Sequence, residues 1–453
     1  MMQLPLSEVA RITGGRLHEA DGTVRGVFSD SRQPLPGGLF VALRGPRFDG
    51  HAFAGADLPA AGLLVERPVA SPLPWVEVAD TRRALADLAA AWRRRCGAAV
   101  VALTGSNGKT TVKEMLAAIL HTMGPVWATR GNLNNELGVP LTLLGLSPGD
   151  RFAVIEMGAN HAGEIAGLTA LAAPDVALIT NAGPAHLEGF GSIEAVARAK
   201  GEIFSGLAAD GVAVINGDDP HADYWAGRNT HRRVLRFGLR PDVDVAGELD
   251  AQGRLRITAA GETVTVALPL AGEHNRSNAL AAAAAALALG VDLQGVRSGL
   301  EAMPPVPGRL ALRPGSGGVR LIDDSYNANP ASVRAAIQVL AKEPGRRFLV
   351  LGDMGELGTA APELHAAVGR HAAEHGIDGF WATGPLCRHA VEAFGPGGRH
   401  FPDRQALIKA LRGTLRSGDV VLVKGSRSQR MDAVADALAV CAGADHDKHP
   451  GGG

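Results

Sequence analysis

Several things are scarce in this sequence, and each shortage removes a class of protein. Aromatic residues make up 4 % of the 453, so Ala, Val and Leu must do most of the packing. The cysteines, Cys96, Cys387 and Cys441, are three, an odd number, and lie far apart without a CxxC pair. That excludes a disulfide-stapled module, gives no sign of zinc or redox chemistry, and fits a reducing cytoplasm. Net charge is nearly absent, 45 Lys and Arg against 46 Asp and Glu, so no basic field draws nucleic acid or an anionic membrane. Any bound anion must be held locally. The longest apolar run, Ala279 to Leu289, is too short to span a bilayer, and the start MMQLPLSEVARITGG lacks a basic stretch followed by an apolar one. A soluble, unexported protein without membrane insertion is expected.

What is present is an enzyme-like α/β composition: 46 % apolar residues with 59 Gly and 27 Pro. At roughly 150 residues per domain, the length predicts about three domains. Residues 1 to about 85 are dense in turn signals between short apolar runs such as Leu39 to Leu43, which predicts a small α+β domain. From 86 the texture changes to helix, then the apolar strand Ala98 to Leu103, a Gly turn and a second helix. Apolar runs at Ala153 to Ile155, Val176 to Ile179 and Val212 to Ile215 alternate with helical stretches, predicting a parallel sheet covered on both faces. The Pro-rich segment Met303 to Gly308 sets a boundary at about 306. Beyond it, runs at Val319 to Ile322, Phe348 to Leu351, Gly379 to Ala382 and Val420 to Val423 predict a second doubly wound domain over 307–453.

The most informative segment is Thr104-Gly105-Ser106-Asn107-Gly108-Lys109-Thr110-Thr111, a Gly turn between an apolar strand and a helix. Phosphate needs that geometry: glycines let backbone N–H groups approach the oxygens and the helix N-terminus adds positive potential. Lys109 can then reach the β- and γ-phosphates, and the Thr110 hydroxyl can hold Mg²⁺. Leu103 stands where the standard P-loop has its first glycine, so this is a shortened variant. Glu156 ends an apolar strand, where nucleotide enzymes hold their metal. A histidine, His186, follows another such strand in NAGPAHLEGFGS, and Lys200 sits in the helical AKGEIF. Each of these three, read alone, has an ordinary structural explanation.

Their order and wording resemble the Mur ligase family of peptidoglycan synthesis. The resemblance runs through DSR, GLF and DGH near the start, TGSNGKTT, GNLNNELGVP, EMGANHAGEI, NAGPAHLEGFGS, AKGEIF, GEHNRSNALAA, PGRL, DDSYNANP, LGDMGELG and VKGSR. GNLNNELGVP, EMGANHAGEI and DDSYNANP single out the member that adds D-alanyl-D-alanine. The resemblance implies a domain gripping the UDP part of the substrate (1–85), a central ATPase domain (86–306) and a C-terminal Rossmann-like domain (307–453) that closes over the nucleotide. It also implies a reaction: ATP phosphorylates the terminal carboxylate of a UDP-N-acetylmuramoyl-tripeptide, and the amine of D-alanyl-D-alanine displaces phosphate.

Carried over residue by residue, the family pattern makes Thr110 and Glu156 ligands of one Mg²⁺ and His186 a ligand of a second. Lys200 matches a carbamylated lysine that helps hold metal. Asn135 and Asn275 resemble nucleotide-contacting asparagines, with helix capping as the alternative. Arg309 and Asp324 resemble an arginine and an aspartate that reach the phosphates and ribose, with Asp323 an alternative for the latter. Asn327 and Asn329 are candidates for the adenine pocket, although Asn-Ala-Asn-Pro is also an ordinary helix start. Ser31 and Arg32 would meet the UDP-sugar, and Lys424, Ser426 and Arg427 would face the incoming dipeptide or the tripeptide. A monomer is expected. The competing expectations are a sister ligase on the same scaffold and a nucleotide switch, although the NKxD segment of a switch GTPase is absent.

Overall fold

Strands made of unbroken Val, Ile, Leu and Ala must be buried on both faces, which is what a sheet covered by helices provides. The computed structural model, which describes residues 1–440 apart from 47, 56, 185, 186 and 271, has such sheets in both of its bodies. One body comprises Met1–Ala182, Glu194–Ala267 and Ser277–Met303; the other comprises Gly183–Ile193, Leu268–Arg276 and the chain from Pro304 onward.

The first body carries two main sheets. Its N-terminal part is α+β, with a five-stranded sheet ordered Arg16–His18, Trp75–Glu77, Ala60–Val65, Gly38–Val41, Val27–Phe28. The helix Thr81–Arg95 follows, capped by the Asp80 carboxylate, which accepts the N–H groups of Arg82 and Arg83. The central sheet has nine strands, ordered Val126–Ala128, Phe152–Glu156, Ala99–Thr104, Val176–Ile179, Val212–Asn216, Arg233–Gly238, Val245–Leu249, Leu255–Ala259 and Glu262–Val266. It is parallel through Val245–Leu249, but the last two strands run antiparallel, a departure from the uniformly parallel expectation. The helix Glu273–Ala288 covers this region, and its alanines from Ala279 to Ala286 are all buried. Small side chains on every face allow close packing, so an aromatic-poor chain still fills its core.

The second body has a six-stranded sheet ordered Ala311–Pro314, Arg320–Asp324, Val420–Lys424, Arg347–Gly352, Gly379–Thr383 and Gly398–Phe401. Every pairing is parallel except that of Ala311–Pro314. Separate apolar clusters built on Leu349, Leu351 and Leu422 and on Val350, Val421 and Val423 show that alternate residues of the same strands feed opposite faces. This is the doubly wound arrangement expected of a Rossmann-like domain.

Candidate active site

The strand Ala99–Thr104 lies between Phe152–Glu156 and Val176–Ile179, so both neighbours deliver their C-terminal ends to the Gly turn. In an open parallel sheet that edge is where ligands bind. Register sets Leu103 beside Glu156, and the next pair is stitched by the Thr104 hydroxyl donating to the Met157 carbonyl at 2.8 Å. On the other flank, the Thr180 hydroxyl donates to the Asn107 carbonyl at 2.6 Å, and Asn181 Oδ1 accepts the Asn107 N–H at 3.0 Å. The loop is therefore braced before any ligand arrives. A Cβ at Gly105 would collide with Thr180 Oγ1, and one at Gly108, whose φ is 83°, with Asn278 Oδ1. Both positions also hold positive φ, 151° at Gly105 and 83° at Gly108, a conformation that favours glycine.

Gly108 opens the helix Lys109–His121, and helix geometry aims the first-turn amides of Lys109, Thr110 and Thr111 towards the loop. The Lys109 ammonium folds back to donate to the Gly105 carbonyl at 2.6 Å. Together these form an anion cradle of the kind the sequence suggested.

Glu156 is 2 % exposed. Its Oε1 accepts a hydrogen bond from Asn134 Nδ2 at 2.8 Å, and its N–H donates to Thr129 Oγ1 at 3.0 Å. Thr129 is held in turn by the buried Lys113, which donates to its carbonyl at 2.6 Å. Glu156 Oε2 is buried with no hydrogen-bond partner among the described residues. A desolvated carboxylate oxygen left open costs free energy unless a cation meets it. With the Thr110 hydroxyl on the adjacent helix, the donors are hard oxygens, the set that suits Mg²⁺.

Lys200 ends up nearly fully buried on the helix Ile193–Gly201, 1 % exposed. Burial and the nearby positive charge of Lys109 push its pKa down to about 7, against the opposing pull of Glu164 and Glu202. Glu202 also accepts the N–H groups of Gly163 and Ala166, at 2.8 and 3.2 Å, anchoring the start of the helix Glu164–Ala172. An amine near neutrality can present its lone pair to carbon dioxide, which an ordinary lysine at this pH cannot. His186 lies outside the described residues.

Two candidates, Asn135 and Asn329, make hydrogen bonds at helix starts. Asn135 Oδ1 accepts the N–H groups of Gly138 and Leu137 ahead of the helix Gly138–Leu144; its neighbour Asn134, not singled out from sequence, is the one that touches Glu156. Asn329 caps the helix Pro330–Leu340 in a reciprocal box with Ser332. Asn275 is buried near the start of the helix Glu273–Ala288. Arg32 is exposed and grips Asp30 with two hydrogen bonds of 2.9 and 2.8 Å, in the turn that also carries Ser31.

In the second body, Asp323 and Asp324 separate cleanly. Asp323 is taken by Arg313 at 3.0 Å and by the Ser325 hydroxyl at 2.6 Å, whereas Asp324 is bonded to Lys424 at 2.6 Å and to the Leu310 N–H at 3.3 Å, beside Arg309. Asn327 lends its carbonyl to Lys424. Contrary to the expectation that all three basic and hydroxyl residues of VKGSR face a substrate, Lys424 and Ser426 turn inward and are buried, and only Arg427 is exposed. The Ser426 hydroxyl is spent on the Asp353 carbonyl and the Gly355 N–H, both at 2.6 Å. Asp353, His365 and Cys387 also form a buried group with ligand atoms within 4.8 Å of one another. Both His365 nitrogens are engaged by backbone, Nδ1 with the Ala361 carbonyl and Nε2 with the Met354 N–H, so that cluster is structural.

Comparison with known proteins shows the family. Residues 103–286 match the Mur ligase middle domain, and residues 308–427 match the Mur ligase, glutamate ligase domain. The UDP-N-acetylmuramoyl-tripeptide–D-alanyl-D-alanine ligase of Escherichia coli K12 is 46 % identical over 97 % of this chain and 99 % of its own. The chain belongs to the Mur ligase family. As a Mur ligase it is an ATP-dependent peptide ligase. A crystal structure of MurF from Acinetobacter baumannii superposes with a TM-score of 0.86 at 37 % identity, covering 95 % of this chain and 98 % of that one. The MurF ligase from Thermotoga maritima in complex with ADP gives 0.79 at 32 % identity, covering 91 % and 97 %. Among the described residues of this Mur ligase, no helix is long and apolar enough to cross a membrane.

Proposed function

We propose that this Mur ligase joins D-alanyl-D-alanine to UDP-N-acetylmuramoyl-tripeptide, consuming ATP with Mg²⁺ and releasing ADP and phosphate, as a monomer in the cytoplasm. The observation that carries the mechanism is the braced P-loop beside Glu156, whose buried Oε2 is open among the described residues. Direct attack of an amine on a carboxylate fails because oxide is a poor leaving group. The tripeptide carboxylate therefore first attacks the γ-phosphorus; an O–P bond forms, the bond to the β–γ bridging oxygen breaks, and ADP leaves. The dipeptide amine then attacks the acyl carbon, the C–N bond forms, the C–O bond to phosphate breaks, and the amine gives up a proton.

Most of the protein's contribution is positioning and electrostatics. The amides from Gly105 to Thr111 and the Lys109 ammonium bind the phosphates. Mg²⁺ would supply neutralisation of phosphate charge; Thr110 and Glu156 would hold one ion, His186 would be a ligand of a second, and carbamylated Lys200 would help hold metal. The carbamate forms when the neutral Lys200 amine attacks carbon dioxide and loses a proton, turning a cation into an anion. Arg309 and Asp324 serve the nucleotide's phosphates and ribose, with Asn275 and Asn327 as further nucleotide contacts. Ser31 and Arg32 bind the UDP-sugar within a substrate domain of residues 1–85, followed by a catalytic domain to 306 and a ligase domain from 307. Arg427 is the residue of VKGSR that meets a peptide.

Isotope transfer tests the route. With ¹⁸O in the terminal carboxylate of the tripeptide, the acyl-phosphate path delivers one labelled oxygen into each released phosphate. Unlabelled phosphate alongside normal peptide formation would rule the path out.

A further inference from the structure

Lys424 closes the strand Val420–Lys424, and register sets it opposite Asp324 at the end of the neighbouring strand. It is 2 % exposed. Its Nζ donates to Asp324 Oδ2 at 2.6 Å and to the Asn327 carbonyl at 2.9 Å. Burial pushes its pKa down and the carboxylate pulls it back up. A lysine has only three N–H groups, and these two bonds within the fold take two of them.

The same carboxylate reaches further. Asp324 Oδ1 accepts the N–H of Leu310, which holds a φ of 51°, a conformation leucine seldom adopts. Arg309 precedes it, with its own N–H on the Val306 carbonyl at 3.1 Å. The Tyr326 N–H donates to the Gly308 carbonyl at 3.2 Å, and the Arg309 guanidinium lies 4.3 Å from the centre of the Tyr326 ring. The turn that presents Arg309 is therefore fastened to the strand end at two points, and one of them is a carboxylate fixed by Lys424.

We infer that Lys424 is a positioning residue for the nucleotide half of the reaction, and not a contact of the incoming dipeptide. It sets the Asp324 carboxylate, which holds the Leu310 amide and with it the strained turn carrying Arg309. The inference rests on the reading of Asp324 and Arg309 as nucleotide contacts. Removing the cation leaves a buried carboxylate without its counter-charge, so Asp324 must turn towards water or take up a proton, and the Leu310 tie loosens.

The test is steady-state kinetics of the full chain, with ATP and D-alanyl-D-alanine varied separately, for Lys424→Met and for Arg309→Ala as reference. The expected result is a KM for ATP raised about tenfold or more in Lys424→Met, with the dipeptide KM within about twofold of wild type. A dipeptide KM raised about tenfold, whatever happens to ATP, overturns the inference, as does no change in either. If Arg309→Ala leaves the kinetics with ATP untouched, the underlying nucleotide reading fails and the inference with it. If Arg309→Ala weakens ATP use and Lys424→Met does not, the inference alone fails. Should Lys424→Met not fold, the double variant Asp324→Asn/Lys424→Met removes both buried charges; an unchanged dipeptide KM then supports the inference and a raised one overturns it.

Discussion

Lys200 and Lys424 are the same side chain at nearly the same depth, 1 % and 2 % exposed, one in each body, yet their surroundings set them opposite tasks. Lys424 has a carboxylate in contact at 2.6 Å and a carbonyl at 2.9 Å, so its charge is kept and used to fix a turn. Around Lys200 the Lys109 charge adds to burial, and the amine is pushed to about 7. The first arrangement fits the positioning role inferred for Lys424, and the second fits the carbamate proposed for Lys200. The acids differ in the same way. Asp324 has both oxygens engaged by protein, while Glu156 has one oxygen held by Asn134 and the other open among the described residues. Asp324 thus holds its neighbours in place, whereas Glu156 keeps a buried oxygen that a cation would satisfy.

Breaking the P-loop side of this comparison should cost most. Lys109→Ala removes the cation aimed at the transferred phosphoryl group, and phosphate release should fall by on the order of 10³-fold. Calorimetry should find binding of the UDP-substrate within about twofold of wild type; lost affinity there would contradict the assignment of that substrate to residues 1–85.

Next in size is Lys200→Ala, expected to lower turnover about a hundredfold and to recover in part with acetate or propionate, which replace the carbamate's carboxylate. No recovery would count against the carbamate. The direction with pH follows from the same environment. Below about 7 a growing fraction of Lys200 is ammonium and cannot take up carbon dioxide, so at equal dissolved carbon dioxide the depleted enzyme should regain activity faster at pH 8 than at pH 6.

A smaller effect is expected one bond further from the chemistry. Asn134→Ala leaves Glu156 Oε1 without its donor, and the Mg²⁺ concentration for half-activation should rise by about 10- to 100-fold with little change in the KM for UDP-substrate. Unchanged Mg²⁺ dependence would remove Asn134 from the metal site.

The smallest effect belongs to the second body. His365 is fully buried, burial lowers its pKa, and its Nε2 must stay unprotonated to accept the Met354 N–H. Between the unfolded value of about 6.5 and the lower folded one, the unfolded chain binds a proton that the folded chain refuses. Stability should therefore fall as pH drops below about 6.5. His365→Gln should be less stable at pH 7.5 by about 1–2 kcal/mol but should lose less on going to pH 5, measured by denaturant titration at both pH values. An equal acid loss in wild type and variant would exclude His365 as a source.

What could be read from the chain alone was the chemistry written in contiguous segments. The P-loop, Glu156 and Lys200 each stand in a short run with its own strand or helix flank, and the main parallel strands were visible as unbroken apolar runs. The bracing of these residues was not visible. Asn134 and Thr129 reach Glu156, and Lys113 reaches Thr129, only because Val126–Ala128 and Phe152–Glu156 are adjacent in the sheet, and Thr180 reaches Asn107 only because Val176–Ile179 lies on the other side. No local spacing encodes that order. Lys424 misled for the same reason: past an apolar strand it looks like a loop residue facing substrate, and only register reveals Asp324 opposite. The antiparallel pair Leu255–Ala259 and Glu262–Val266 did carry a signal, alternating side chains around Ala260-Gly261, but the neighbouring parallel pattern overshadowed it.

The measurement that bears most directly on the central claim is phosphate release across a panel of UDP-muramoyl peptides and amines, with mass analysis of the product. The account predicts release only when UDP-N-acetylmuramoyl-tripeptide and D-alanyl-D-alanine are present together, one phosphate for each pentapeptide formed. Release driven by a single amino acid, or by ATP with no peptide product, would contradict it.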